Sequence, residues 1–212
     1  MSTGDFATAN LADHLGDDPS AVAENRARCA SLAGLAVTDL AVMSAVHGAS
    51  VAVVESGGVV PSVDALVTTH AGIALLALGA DCVPIAIADP SAGVIAAVHC
   101  GWRGLVAGVV PAAVAVMREL GATDLAAVLG PSICGACYAV PDERIAEVRA
   151  AADVAAAAIA PGHLDVAAGV RAQLTAEGIG SVTVPFCTAE DDRLFSFRRD
   201  GRTGRQGMMI WR

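Results

Sequence analysis

Residues 79–104 constrain the fold most, because two short apolar runs flank a cluster of turn residues there. The runs are residues 83–88 and 94–98, and Asp, Pro, Ser, Ala and Gly fill the gap between them. This pattern predicts two adjacent strands joined by a hairpin. The hairpin would return the chain so that Cys82 and His99 lie near each other at one end of a sheet. A thiol, an imidazole, a carboxylate and a guanidinium would then converge, as in a functional site.

The rest of the chain alternates between strand and helix signals. Strands are also predicted at residues 40–46, 51–54, 65–68, 73–78, 125–129, 182–186, 193–197 and 208–211. Helices are predicted at residues 17–32, 105–120 and 167–177, and one or two more over residues 141–158. Pro111 should either kink the helix at 105–120 or mark its true first turn. This mixture predicts an α+β fold, a layered α/β sandwich with mixed sheets in which strands and hairpins alternate with helices.

Composition and charge argue against several classes of protein, namely nucleic-acid-binding, secreted and membrane-spanning proteins. The chain has 212 residues, which suits one domain or two tightly fused halves. Its formal charge of −9 argues against nucleic acid as a partner. Residues 1–20 are polar and acidic, unlike a signal peptide, and no apolar run reaches the ~18 residues of a membrane span. We therefore expect a cytoplasmic protein with reduced thiols and no membrane partner, of undetermined oligomeric state.

The basic residues are unevenly distributed. The chain has no lysine, and six of its arginines follow residue 190. Charge runs of this kind are most often a solvated face. The functional alternative is an anion pocket, because a guanidinium group binds carboxylate or phosphate through two parallel hydrogen bonds.

Three candidate metal ligands, His47, Cys82 and His99, stand at the ends of predicted strands. Two imidazoles and a thiolate form a three-ligand zinc site with an open fourth position, where zinc would lower the pKa of a bound water to about 7. Taken singly, a buried cysteine usually behaves as a small hydrophobe, and a lone histidine is usually structural. Spacing alone therefore leaves a metal site and a packing role both open.

Cys134 and Cys137 form a Cys-x-x-Cys motif. A structural zinc site needs a second such pair, which the sequence does not contain, and a thioredoxin-type motif needs a βαβ context that is not clear here. We interpret these two cysteines as packing residues.

Short motifs along nearly the whole chain are together highly specific for one family. They are Asn10-Leu11, Gly16-Asp17-Asp18-Pro19, Asn25-Arg26, Val46-His47-Gly48, Ala80-Asp81-Cys82-Val83-Pro84, Ala97-Val98-His99, Gly101-Trp102-Arg103-Gly104, Leu129-Gly130-Pro131-Ser132-Ile133, Cys137-Tyr138, Leu164-Asp165, Cys187-Thr188, Phe195-Ser196-Phe197-Arg198-Arg199 and Gly204-Arg205. Through them the chain resembles the YfiH-type laccase-domain proteins. These were formerly described as multicopper polyphenol oxidases and are now regarded as purine nucleoside phosphorylases with adenosine deaminase and methylthioadenosine phosphorylase activity.

The resemblance implies one domain over residues 1–212, with purine nucleosides and phosphate as substrates. It places the metal on His47, Cys82 and His99, with zinc as the expected ion and copper as the alternative. Asp81 is the expected acid/base, so the expected catalytic residues are Asp81, Cys82 and His99. The expected substrate and phosphate ligands are Arg26, Arg103, Tyr138 and Arg198. If residues 193–197 form a strand, alternation should turn Arg198 toward the site and Arg199 away from it.

The sequence departs from the family pattern in three places. Ala45 replaces the usual glutamine two residues before the first ligand histidine, and Ala139 replaces the usual glutamate after the Cys-Tyr pair. The arginine- and glycine-rich strand that normally precedes Asn10-Leu11 is missing, which indicates a truncated start or a shorter variant. Substrate contacts from that strand are therefore not carried over.

Three functions remain to be weighed. A zinc-dependent purine nucleoside enzyme fits the motifs. A copper polyphenol oxidase fits the older family description, but five histidines are too few for a full multicopper set, although one copper could occupy the three-ligand site. A metal-stabilised regulatory protein without turnover would need a closed site with a fourth protein ligand.

Overall fold

The computed structural model describes residues 1–151, 157–158 and 161–212. Two sheets pack face to face, with helices on their outer faces, so the expected α+β layered sandwich with mixed sheets is confirmed. Part of the predicted helix at 141–158 lies outside the described residues.

The first sheet has the strand order β10-β5-β1-β3. Its members are β1 (Leu40–Ser44), β3 (Gly58–Pro61), β5 (Ala74–Gly79) and β10 (Gln206–Trp211). The strand β1 pairs in parallel with β3 and β5, whereas β10 runs antiparallel to β5. Because β1 and β5 are parallel, the segments that follow them leave the sheet at the same edge.

The second sheet has the strand order β2-β4-β7-β6-β8-β9. Its members are β2 (Val51–Val53), β4 (Ala65–Thr68), β6 (Val83–Asp89), β7 (Val94–Cys100), β8 (Ala126–Leu129) and β9 (Gly180–Thr183). The predicted hairpin is present as the antiparallel pair β6 and β7. Both strands are apolar and almost wholly buried, because this pair forms the middle of the sheet.

The helices cover the outer faces of the two sheets. They are α1 (Pro19–Leu32), α2 (Trp102–Ala107), α3 (Val109–Glu119), α4 (Asp142–Ala150), α5 (Val166–Ala176) and α6 (Phe197–Asp200). Asp18 begins α1 by accepting a hydrogen bond from the backbone N–H of Ser20, with proline in the first turn. Within the described ranges, no helix combines the length and apolarity needed to cross a membrane.

Three apolar clusters hold the layers together. Side chains of β1, β4, β5 and β7 fill the space between the sheets. The largest cluster joins the outer face of the second sheet to α2, α3, α4 and α5. A smaller one joins the outer face of the first sheet to α1 through Cys29. The core is mostly valine, alanine, leucine and isoleucine, so close packing of small side chains takes the place of aromatic anchors.

Two local predictions need correction. The predicted helix at 105–120 is two helices that meet at Gly108, whose φ of 79° lies in the left-handed region. Pro111 lies in the first turn of α3, where its missing N–H costs nothing. Residues 193–197 do not form the predicted strand; instead Ser196 accepts a hydrogen bond from the Arg199 N–H and begins α6.

Candidate metal centre and cavity

His47, Cys82 and His99 lie together where the edges of the two sheets meet. His47 follows β1, Cys82 immediately precedes β6, and His99 is near the end of β7. Their candidate ligand atoms all lie within 4.8 Å of one another. His47 Nε2 is 3.9 Å from Cys82 Sγ, and the two imidazole rings pack edge to face with centroids 4.8 Å apart.

The hairpin supplies two of these side chains and the other sheet supplies the third. In the β6–β7 register Pro84 pairs with His99, so Cys82 lies just beyond the end of the ladder, beside His99. His47 reaches the pair with a φ of 62°, a backbone conformation that non-glycine residues rarely adopt. The backbone strain therefore falls on His47, whose side chain must turn toward the hairpin.

Asp64, which is fully buried, holds both histidines in place. Its carboxylate accepts hydrogen bonds of 2.8 Å from the backbone N–H groups of His47 and Gly48. His99 Nδ1 lies 3.2 Å from Asp64 Oδ1. Because a carboxylate only accepts hydrogen bonds, Nδ1 carries the proton, which leaves Nε2 of His99 free to bind a metal.

The electrostatics of the centre favour a thiolate. Burial alone would raise the pKa of Cys82, but hydrogen bonds and charge from His47 and His99 outweigh it and lower that pKa to about 6. Burial alone would lower the pKa of His99, but Asp64 and Cys82 raise it to about 9. The ionised thiol is the form that binds metals.

These residues fit a zinc or a copper ion. Two imidazoles and one thiolate form a donor set that both metals accept. The backbone of Gly101 closes one side of the centre, because a Cβ there would lie 3.0 Å from Cys82 Sγ and 3.1 Å from His47 Cδ2. Among the described residues, this cluster contains only three protein ligands, which is typical of a catalytic centre rather than a closed structural one.

A cavity of about 290 Å³ lies directly over the centre. Its size is near the lower end of the usual range for small-molecule sites, roughly 300–1,000 Å³. The three candidate ligands lie in its wall together with residues from the first sheet, from α6 and from irregular segments. These other lining residues are His14, Met43, Ala45, Leu78, Gly79, Ala80, Phe197 and Arg205.

A smaller cavity of about 90 Å³ also has Cys82 in its wall. It is lined by Asp81, Cys82, Gly101, Trp102, Ile133, Tyr138 and Val166. The Asp81 carboxylate accepts hydrogen bonds from the hydroxyls of Thr188 and Ser196, each 2.7 Å long, and from the backbone N–H of Arg198. Asp81 therefore joins three segments of the chain beside the centre.

A comparison with protein-family models decides the family. The model described as multi-copper polyphenol oxidoreductase laccase matches residues 1–212. The chain belongs to this family. We refer to it as the laccase-domain family, and the resemblance inferred from the motifs is thereby confirmed.

Relatives within the laccase-domain family carry two further names. A purine nucleoside phosphorylase of Streptomyces coelicolor is 47% identical over 219 residues, covering 100% of this chain and 90% of the relative. Adenosine deaminase RL5, from an unknown prokaryotic organism, is 35% identical over 230 residues, covering 98% and 88% respectively. The crystal structure of YlmD from Geobacillus stearothermophilus is similar with a TM-score of 0.91 at 34% identity, covering 100% of this chain and 87% of that one.

The four residues expected to bind substrate or phosphate differ in their position relative to the two cavities of this laccase-domain protein. Tyr138 lines the smaller cavity, and the Arg198 guanidinium lies 5.0 Å from the centre of its ring. Arg103 is exposed and packs against the ring of Trp102. Arg26 lies in neither cavity wall, because it binds the Leu11 carbonyl oxygen and the Asp13 carboxylate.

The predicted orientation of Arg198 and Arg199 rested on a strand that is not present. Both residues lie in α6, so strand alternation does not apply to them. Arg199 lines neither cavity, and its guanidinium binds the Asp200 carboxylate and the carbonyl oxygens of Thr188 and Leu194. Arg198 faces Tyr138 through the helix geometry, not through pleating.

Sequence reasoning missed three residues with a place at the centre. Asp64 directly precedes the apolar run of β4, and a carboxylate at the entry of a buried strand is a signal that could have identified it. His14 and Arg205 come from irregular segments far apart in the sequence, and only the fold brings both to the cavity. The motif Gly204-Arg205 contains Arg205, but the sequence alone assigns it no role.

Proposed function

We propose that this chain is a metal-dependent purine nucleoside enzyme. It cleaves adenosine, inosine, guanosine and methylthioadenosine with phosphate, and it deaminates adenosine with water. The observation that carries the proposal is the three-ligand cluster of His47, Cys82 and His99 in the wall of a cavity of about 290 Å³. The names of the relatives, purine nucleoside phosphorylase and adenosine deaminase, support both activities.

The metal that we propose is zinc, held by His47, Cys82 and His99, with copper as the alternative occupant. When bound there, zinc supplies a Lewis acid that can activate water or polarise the purine. The chain itself keeps the ligands in the required state. Asp64 holds the proton on Nδ1 of His99, and the two imidazoles favour the thiolate form of Cys82.

We propose that arginine side chains bind the phosphate. Arg205 is half-buried in the cavity wall, where its guanidinium is held by the carbonyl oxygens of Thr203 and Gly204. A fixed guanidinium binds a phosphate oxygen pair well, because little freedom is lost on binding. Arg198, which packs on Tyr138, and Arg103, which packs on Trp102, stay proposed phosphate or nucleoside contacts. Arg26 is assigned a positioning role, since it anchors the segment that carries His14.

The purine and ribose have candidate contacts at the cavity mouth. Phe197 lines the cavity and is 59% exposed, so it offers a ring face on which a base can stack. Tyr138 offers a second ring beside Cys82. Asp81 is the proposed acid/base, because it lines the smaller cavity next to the thiol and three donors fix its orientation.

The other two functions have less support. Copper phenol oxidation agrees with the description of the family, but the five histidines of the chain cannot form a full multicopper set, and only a single copper fits the three-ligand cluster. A regulatory protein without turnover would need a fourth protein ligand, and the described residues place none beside His47, Cys82 and His99.

The test is a pair of cysteine variants. Cys82→Ala removes one metal ligand without deleting a large core side chain, so we expect both phosphorolysis and deamination to be abolished while the fold is kept. Cys29→Ala is the matched control, because Cys29 lies on α1, away from both cavities. Unchanged rates in Cys82→Ala would exclude the proposed mechanism.

A further inference from the structure

A second group of metal-binding side chains lies outside the cavity wall of the first centre. Cys134 and Cys137 lie on the turn that follows β8, and Cys187 and Glu190 lie on the loop that follows β9. Their candidate ligand atoms are all within 4.8 Å of one another. Cys137 Sγ lies 3.4 Å from Glu190 Oε1. Nothing in the proposed reaction uses these four residues.

Four donors at this spacing suit a single tetrahedral ion. Zinc–sulfur bonds of about 2.3 Å place the sulfur atoms of a tetrahedral centre about 3.8 Å apart, which the observed cluster can reach with small side-chain movements. The carbonyl oxygen of Cys134 accepts hydrogen bonds from the backbone N–H groups of Cys137 and Tyr138. These bonds close the Cys-x-x-Cys segment into a tight turn. Thiols three residues apart on such a turn can bind one ion together.

Backbone groups already support the cluster. The N–H of Cys134 donates a hydrogen bond of 3.2 Å to Cys187 Sγ, the kind of contact that orients a thiolate ligand. The carbonyl oxygen of Cys187 accepts from the N–H groups of Glu190 and Asp191, so the loop brings Glu190 back over the cysteines. A bridge between Ser132 and Cys187 joins the two segments.

A disulfide explains the cluster less well. All six cysteines of the chain are free thiols in this structure. Any one disulfide among Cys134, Cys137 and Cys187 would leave the third thiol and the Glu190 carboxylate together without a shared partner. One cation satisfies all four donors at once.

We propose that Cys134, Cys137, Cys187 and Glu190 form a second metal centre that binds zinc or a similar thiophilic divalent ion. With four protein ligands the centre is closed, so its role is structural rather than catalytic. It fixes the loop that carries Thr188, whose hydroxyl binds Asp81, and the turn that carries Tyr138. The proposal does not depend on the reaction assigned to the first centre.

Metal content of the full chain tests the proposal. The protein is purified under reducing conditions, loaded with zinc, freed of excess metal and measured by inductively coupled plasma mass spectrometry. We expect two zinc ions per chain in the wild type and in Cys29→Ser. We expect one in the double variant Cys134→Ser/Cys137→Ser and one in Cys82→Ala. Retention of the wild-type zinc content by the double variant would overturn the proposal.

Two further measurements keep the test decisive if the double variant folds poorly. In Cys82→Ala the first centre has lost a ligand, so cobalt bound to this variant reports on the second centre. We expect its absorption spectrum to show thiolate-to-cobalt charge transfer and tetrahedral ligand-field bands. Adding Cys187→Ser should weaken these bands. Alkylation of the denatured, unreduced protein should label all six cysteines. Absence of the cobalt bands, or labelling of only four cysteines, would contradict a metal centre.

Discussion

Replacing Gly101 with alanine should damage the first metal centre without disturbing the rest of the fold. Gly101 has φ of −88° and ψ of 178°, which alanine adopts freely, so the backbone itself tolerates the change. The added Cβ, however, would lie 3.0 Å from Cys82 Sγ and 3.1 Å from His47 Cδ2. Both contacts are closer than an ordinary van der Waals contact, which begins near 3.4 Å.

The required displacement sets the size of the effect. Relieving the contact with Cys82 Sγ moves that atom by about 0.4 Å, whereas metal–ligand distances are held within about 0.2 Å of their ideal values. Both ligands must therefore leave the positions that bind the ion. We expect Gly101→Ala to weaken metal binding by at least the 10–100-fold typical of changes that only disturb ligand orientation.

The assay is competition between the protein and a chelator of known affinity, with thermal unfolding of the metal-free protein measured alongside. Gly180→Ala is the matched control, because a Cβ at Gly180 meets nothing within 4 Å. Gly101→Ala should lose metal affinity at an unchanged unfolding temperature. Wild-type affinity in Gly101→Ala would refute the placement of Cys82 and His47 as ligands.

Three further predictions concern the support of the metal centre, the binding of phosphate and the stability of the fold. Asp64→Asn should weaken metal binding by about 10–100-fold in the chelator competition, because Asp64 orients His99. A metal affinity within twofold of the wild type would contradict this orienting role. Arg205→Gln should raise the KM for phosphate by about 10–100-fold, since a charge-assisted contact contributes about 1.5–3 kcal/mol. Arg198→Ala should act in the same direction, and both variants should lose less activity in deamination. Equal losses in the two reactions would show that these arginines orient the nucleoside or support the fold. Four backbone N–H groups lower the pKa of Asp89 to about 2 from 3.8, so its contribution to stability is present above pH 4 and is lost as the pH falls toward 2. In urea unfolding, the free energy of unfolding of Asp89→Asn should therefore fall less steeply with pH in that window than that of the wild type. The same slope in both proteins would mean that Asp89 does not titrate there.

Local sequence signals predicted the hairpin that carries two of the three ligands. The alternation of apolar runs with a turn at residues 89–93 is a short-range pattern, and β6 and β7 pair as it indicated. The approach of His47 is different, since it comes from the other sheet. Its position depends on how the two sheets pack, which no local pattern encodes. Its place at a strand end made His47 a candidate ligand, and the family resemblance then placed the metal on it.

The segment at residues 193–197 shows how tertiary contacts override a local pattern. Phe195, Ser196 and Phe197 alternate as in a strand, but none of the strands that the structure describes pairs with them. Ser196 instead begins a helical turn, and the Asp81 carboxylate accepts from the Ser196 hydroxyl and from the Arg198 N–H. The second cysteine cluster escaped prediction for a similar reason, because Cys187 lies 50 residues beyond Cys137 and meets it only in the fold.

Product analysis by mass spectrometry tests the central claim most directly. Zinc-loaded protein is incubated with adenosine, with and without phosphate, beside the same protein stripped of metal. We predict adenine, hypoxanthine and ribose 1-phosphate only when phosphate is present, inosine as the product when phosphate is absent, and neither reaction in the stripped protein. Equal product formation by the loaded and stripped proteins, or no turnover of adenosine by the loaded protein, would contradict a metal-dependent nucleoside enzyme built on His47, Cys82 and His99.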